Sequence, residues 1–74
     1  MRRSRTDISF DILRVAMKGS NKTRIVHETN LNFELATKYL KMLEDKGLIS
    51  HENGLFKTTE KGKIFHDKTQ EFRL

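Results

Sequence analysis

The chain has 74 residues, no cysteine and a formal net charge of +5, with a pI near 9.8. That length suffices for one small domain with a thin stability margin; the lack of cysteine excludes disulfides and thiolate metal sites; and no apolar run reaches the roughly 18 residues of a membrane span. The positive excess favours polyanions, nucleic acid before an anionic membrane surface, with a merely lysine-rich surface as the plain alternative.

Residues 1–5 read as a basic N-terminal arm, since Arg2, Arg3 and Arg5 precede any acid. Asp7 and Asp11 interrupt the segment that follows, so the start does not resemble a signal peptide, and a cytoplasmic protein is expected. Thr6 or Asp7 can cap a first helix that runs to about Lys18. Its inner stripe is Ile8, Ile12, Val15 and Ala16, and Phe10, Leu13 and Met17 widen the apolar arc beyond one face. So wide an arc in a small domain lies between elements or meets another subunit. Asp7 and Asp11, continued by Arg14 and Lys18, read as a solvated polar strip rather than a paired-carboxylate site.

Gly19 ends this helix, and Ser20–Asn21 supply the cap for a short second one, Lys22 to about Glu28, with Ile25 and Val26 facing in. Thr29–Asn30 reads as a tight turn, because Asn tolerates positive φ. Leu31 then enters the core, and Asn32 caps a third helix that ends before Gly47. At about 100° per residue, Phe33, Leu35, Ala36, Tyr39, Leu40, Met42 and Leu43 share one arc, while Glu34, Thr37, Lys38, Lys41, Glu44 and Asp45 fill most of the other side. Asn53-Gly54 between the runs Leu48–His51 and Leu55–Thr58 predicts a hairpin, since a type I′ turn needs positive φ twice. Leu48, Ile49 and Phe56 should anchor it to the helices. Thr58 or Thr59 caps a last helix, whose first turns Gly62 weakens and whose apolar stripe is Ile64, Phe65 and Phe72, with Thr69.

The expected fold is therefore mainly α with a small β-hairpin (α+β). Residues 6–58 form a three-helix core plus wing, and residues 59–74 form a C-terminal helix, a possible dimerisation element. A short helix, a tight turn and a longer amphipathic helix make a helix-turn-helix, and the hairpin makes it a winged one.

The stretch KTRIVHETNLNFELATKYLKMLEDKGLI followed by NGLFKTTEKGK resembles the small basic winged helix-turn-helix proteins of archaea, a group of transcription regulators and chromatin-associated proteins. The resemblance covers roughly residues 7–63. It implies binding of double-stranded DNA, usually as a dimer; several members pair a long C-terminal helix with the partner's. It points to the outward face near the start of the third helix for base contacts: Asn32, Glu34, Thr37, Lys38 and Lys41. Lysine can donate to guanine, Glu34 can accept from cytosine N4, and Thr37 can meet a thymine methyl or a phosphate. On spacing alone, the same residues read as a solvated face with i, i+4 pairs Glu34–Lys38 and Thr37–Lys41.

For phosphates, Lys22, Thr23 and Arg24 stand where the second helix begins and its dipole favours an anion. His51, Asn53 and Lys57 in the wing can flank the minor groove or backbone, or the wing can serve only as packing. Arg2, Arg3 and Arg5 can enter a minor groove or screen phosphates, or form an idle tail. Phe10, Met17, Phe65 and Phe72 are the candidate dimer contacts. The histidines His27, His51 and His66 are far apart, so no metal site is expected. No motif suggests a cofactor, a small-molecule ligand or an enzyme. The rival readings are a protein-interaction adaptor, a non-specific chromatin-like DNA coat and RNA binding.

Overall fold

The computed structural model describes residues 3–71, with side chains through residue 69. Arg2 and Phe72, both singled out above, lie outside the described residues. In chain order the elements are α1 (Arg5–Val15), a 3-10 turn (Ala16–Lys18), α2 (Lys22–Thr29), α3 (Phe33–Asp45), β1 (Ile49–Glu52), β2 (Leu55–Thr58) and α4 (Glu60–Glu71). The predicted order of three helices, hairpin and helix is the one observed.

Each helix starts on a side chain suited to the task. Ser4 caps α1: its hydroxyl accepts from the Asp7 N–H at 3.0 Å, and the Asp7 carboxylate accepts from the Ser4 N–H at 3.2 Å. This reciprocal box satisfies two donors at once, so the helix begins before Thr6. The expected arm of residues 1–5 is correspondingly shorter, because Ser4 and Arg5 belong to the helix start. Asn21 and Asn32 cap α2 and α3, their Oδ1 atoms accepting from Arg24 N–H at 2.8 Å and Leu35 N–H at 2.7 Å. Asn30 ends α2 in the left-handed region, φ 58°. Asn53 and Gly54 both take positive φ, 52° and 78°, as a two-residue hairpin turn requires.

The core is one cluster drawn from every layer: Ile12, Leu13 and Ala16 from the first helical segment, Ile25 from α2, Leu40 and Leu43 from α3, and Leu48, Ile49 and Phe56 from the hairpin. Full burial of one such aliphatic side chain stabilises by about 1.5–3 kcal/mol. The α3 side chains that join this cluster run from Tyr39 to Leu43. Phe33, expected on the buried arc, is 53% exposed, because it stands at the arc's edge in the first turn, short of the cluster.

The wing is tied to the helical body by polar contacts as well as by packing. In the hairpin, Ile49 faces Thr58 and His51 faces Phe56 across antiparallel strands. On its other side, β2 pairs with Ser20 through two backbone bonds, Ser20 N–H to Phe56 O at 2.9 Å and Phe56 N–H to Ser20 O at 2.8 Å. The buried Thr58 hydroxyl donates to Leu13 O at 2.7 Å.

The packing of α4 departs from the expected stripe. Ile64 is 57% exposed, and the inward positions are Gly62, Phe65, His66 and Thr69, a helical i, i+3, i+4, i+7 set. The His66 ring stacks on Phe10, centroids 4.1 Å apart and planes 12° apart. Phe10, expected at a subunit contact, is thus buried by its own chain. Gly62 does not merely weaken the helix. A Cβ there would run into the Leu48 carbonyl oxygen and come within 2.7 Å of Thr58 Cγ2, so only glycine lets α4 approach the start of the wing.

Alanine ordinarily gains about 1 kcal/mol over glycine inside a helix. At residue 62 the backbone clash outweighs that gain. Gly62→Ala should lower stability by about 2 kcal/mol, or roughly 10 °C in Tm, in a thermal melt followed by circular dichroism. An unchanged or raised Tm would contradict this packing.

Candidate nucleic-acid interface

The bonds between Ser20 and Phe56 place the beginning of α2 beside β2. The outer flank of α3 faces the same region. Between them lies a groove lined by Lys22 of α2, by Thr37, Leu40, Lys41 and Glu44 of α3, and by His51 and Phe56 of the wing. Residues far apart in the chain converge here, and four of them, Lys22, Thr37, Lys41 and His51, were singled out from the sequence. The formal charges of the groove are two lysines against Glu44. The floor is apolar, with Leu40 and Phe56 both buried. His51 is held flat on Phe56, centroids 3.9 Å apart and planes 8° apart, which fixes the ring at the groove's edge.

The other predicted residues do not share this groove. Lys38 lies on a second flank of α3, where it lines one depression with Arg5, Leu35, Tyr39 and Met42, and another with Asn32, Glu34 and Leu35. Arg24 turns to a third side, where it meets Arg14, Lys18 and Glu28. By spacing Arg14 and Lys18 only continue a polar strip; the packing of α1 against α2, with the 3-10 turn that follows α1, puts them on one depression with Arg24. Within the wing the alternation of strand side chains separates two candidates. His51 is on the side of Ile49, Phe56 and Thr58, while Lys57 shares the opposite face with Ser50. Asn53 forms the tip, and Thr23 is exposed in the first turn of α2.

Several of these side chains already have partners. Arg3 pairs with Asp11 at 3.1 Å, and Arg14 lies 4.0 Å from the same carboxylate. Exposed pairs of this kind contribute about 0–1 kcal/mol, so Arg3 is easily recruited by another anion. Asn32 Oδ1 is occupied by the α3 cap. The Thr37 hydroxyl donates to Phe33 O at 2.7 Å, back along its own helix. Glu34, Lys38 and Lys41 are exposed on α3 and keep their charged ends outward. Phe33, beside them, was not among the sequence-derived site residues, because a phenylalanine at the edge of an apolar arc reads as core.

Among the described residues there is no group of three or more His, Cys, Asp or Glu that could hold a metal ion. No described helix is long and apolar enough to cross a membrane.

A family model described as winged helix-turn-helix matches residues 2–74. A curated relative, an uncharacterized protein of Methanocaldococcus jannaschii, is 32% identical over 71 residues, covering 95% of this chain and 73% of that one. Among solved structures, the crystal structure of Sso10a-2, a DNA-binding protein from Sulfolobus solfataricus, superposes with a TM-score of 0.83 at 35% identity, over 95% of this chain and 78% of that one.

The double duty of Asn32 as cap and surface residue is separable by experiment. Asn32→Ala should cost about 1 kcal/mol of stability through loss of the α3 cap. Asn32→Ser, which can still accept from the first turn, should recover most of it in chemical denaturation. Equal losses for the two would show that the cap is not what Asn32 contributes.

Proposed function

We propose that the chain, which belongs to the winged helix-turn-helix family, binds double-stranded DNA with α3 in the major groove. The observation that carries this reading is the convergence of Lys22, Thr37, Lys41 and His51 around one groove between α2, α3 and the wing. Lys41 and Thr37 lie on the helix that would enter the major groove, with Glu34 and Lys38 on its outward face. Lys22, at the beginning of α2, stands where a helix-turn-helix protein meets the flanking phosphates. The net charge of +5 supplies a favourable long-range field for a polyanion. The DNA-binding protein Sso10a-2, alike over nearly the whole of this chain, supports the same assignment.

The role is transcription regulation or DNA architecture, carried out at the nucleoid in the cytoplasm and without catalysis. The protein acts as a homodimer, placing two α3 helices in successive major grooves about 34 Å apart. Exposed Ile64 on α4 supports that second point, since a large aliphatic side chain more than half uncovered on a terminal helix suits a subunit contact.

A protein-interaction role is the reading to separate from DNA binding, and ionic strength separates them. Affinity for a duplex should fall steeply as salt rises from about 50 to 200 mM, because phosphate contacts release counterions. Lys41→Ala should weaken binding about three- to tenfold and lower the salt slope by about one, with Tm unchanged. Salt-independent binding, or full affinity in the variant, would refute the assignment. Ile64→Glu should shift the wild-type dimer to monomer in sedimentation velocity; a wild type that is monomeric at tens of micromolar would refute the dimer.

A further inference from the structure

The α3 surface carries a large apolar group where a polar reader would be expected. Phe33, Thr37 and Lys41 follow one another at i, i+4, i+8, so they lie along one strip of the helix. Thr37 and Lys41 line the groove with the wing, and Phe33 continues the strip at the leading end of α3. Phe33 is 53% exposed. The polar neighbours at that end are partly withdrawn from recognition. The Thr37 hydroxyl hydrogen is engaged on Phe33 O, and Asn32 Oδ1 holds the Leu35 N–H. What this end offers, beside the charged Glu34 and Lys38, is therefore an exposed aromatic side chain one helical turn from Thr37.

We propose that Phe33, with the Thr37 methyl, forms an apolar reading patch that packs on thymine C5-methyl groups in the major groove. This biases the protein toward thymine-bearing sites. The thymine methyl is the one apolar feature of a base edge in that groove, so it is the natural partner of an uncovered ring carried there. The inference rests on the DNA-binding reading above and adds to it: the lysines supply affinity, and Phe33 supplies sequence preference. Covering one methyl group is worth about a fourfold change in affinity per thymine contacted. Burial within its own fold contributes little to the role of Phe33, since the ring stands outside the core cluster.

The test compares one duplex sequence in two forms, with thymine and with uracil at every thymine position, at low salt. Wild type should prefer the thymine duplex by about fourfold or more. Phe33→Ala should lose most of this preference, the Thr37 methyl keeping the remainder, with little change in Tm. Phe33→Leu should restore part of the preference. Equal binding of the two duplexes by wild type, or an undiminished preference in Phe33→Ala, overturns the inference and leaves the DNA-binding reading intact. Failure of wild type to bind either duplex overturns both.

Discussion

The two backbone hydrogen bonds between Ser20 and Phe56 decide where the groove stands. They make β2 the middle of three extended segments, with β1 on one side and the residues before α2 on the other. Ser20 is buried, so its N–H and C=O have no access to water and must find protein partners. Leaving either unpaired would cost about 1–3 kcal/mol. Once they are made, Asn21 and Lys22 have little freedom, and the first turn of α2 is delivered to the wing. The Thr58 hydroxyl on Leu13 O adds a second anchor from the same strand, and Phe56 between them closes the core.

What could be read from the sequence was local. Asn21 and Asn32 cap helices because a short side chain with a carbonyl oxygen reaches the second or third N–H of the helix it begins. Asn53-Gly54 turns the chain because both residues tolerate positive φ. These rules span a few residues and hold whatever surrounds them. Thr6 and Asp7 are equally good cap residues by type, and only the reciprocal bonds between Ser4 and Asp7 single out Ser4. The failures were of another kind. By propensity Gly62 is a defect, whereas the Leu48 carbonyl stands against it; by pattern Phe10 suits a subunit contact, whereas His66 stacks on it. Both depend on how α4 docks, which no short window contains.

The candidate site divides in the same way. Naming α3's outward residues needed only the helical period, and Thr37, Lys38 and Lys41 are indeed exposed there. Their partition is a tertiary property. Lys41 faces the wing, Lys38 faces Arg5, and Arg24 faces Arg14 and Lys18, so one basic sequence becomes three distinct sides. The residue types also hid their occupation. An asparagine at a helix start and a threonine one turn into a helix both bond to the backbone first, which leaves fewer polar groups for recognition than composition suggests. An exposed phenylalanine gains weight for that reason.

The Thr58–Leu13 bond joins residues 45 positions apart, and the Ser20–Phe56 pair likewise links the opening of the chain to the hairpin. Helices and their caps form over short loops, whereas these contacts must first close a long one, at an entropic cost that nothing repays until they are made. By loop-closure entropy the groove is expected among the later contacts to form. A chain that lacks these contacts, whatever helix it holds, has neither the wing's histidine nor the α2 lysine in its place. Completion of the hydrogen-bonded clasp is what brings Lys41, Lys22 and His51 together as one shaped surface.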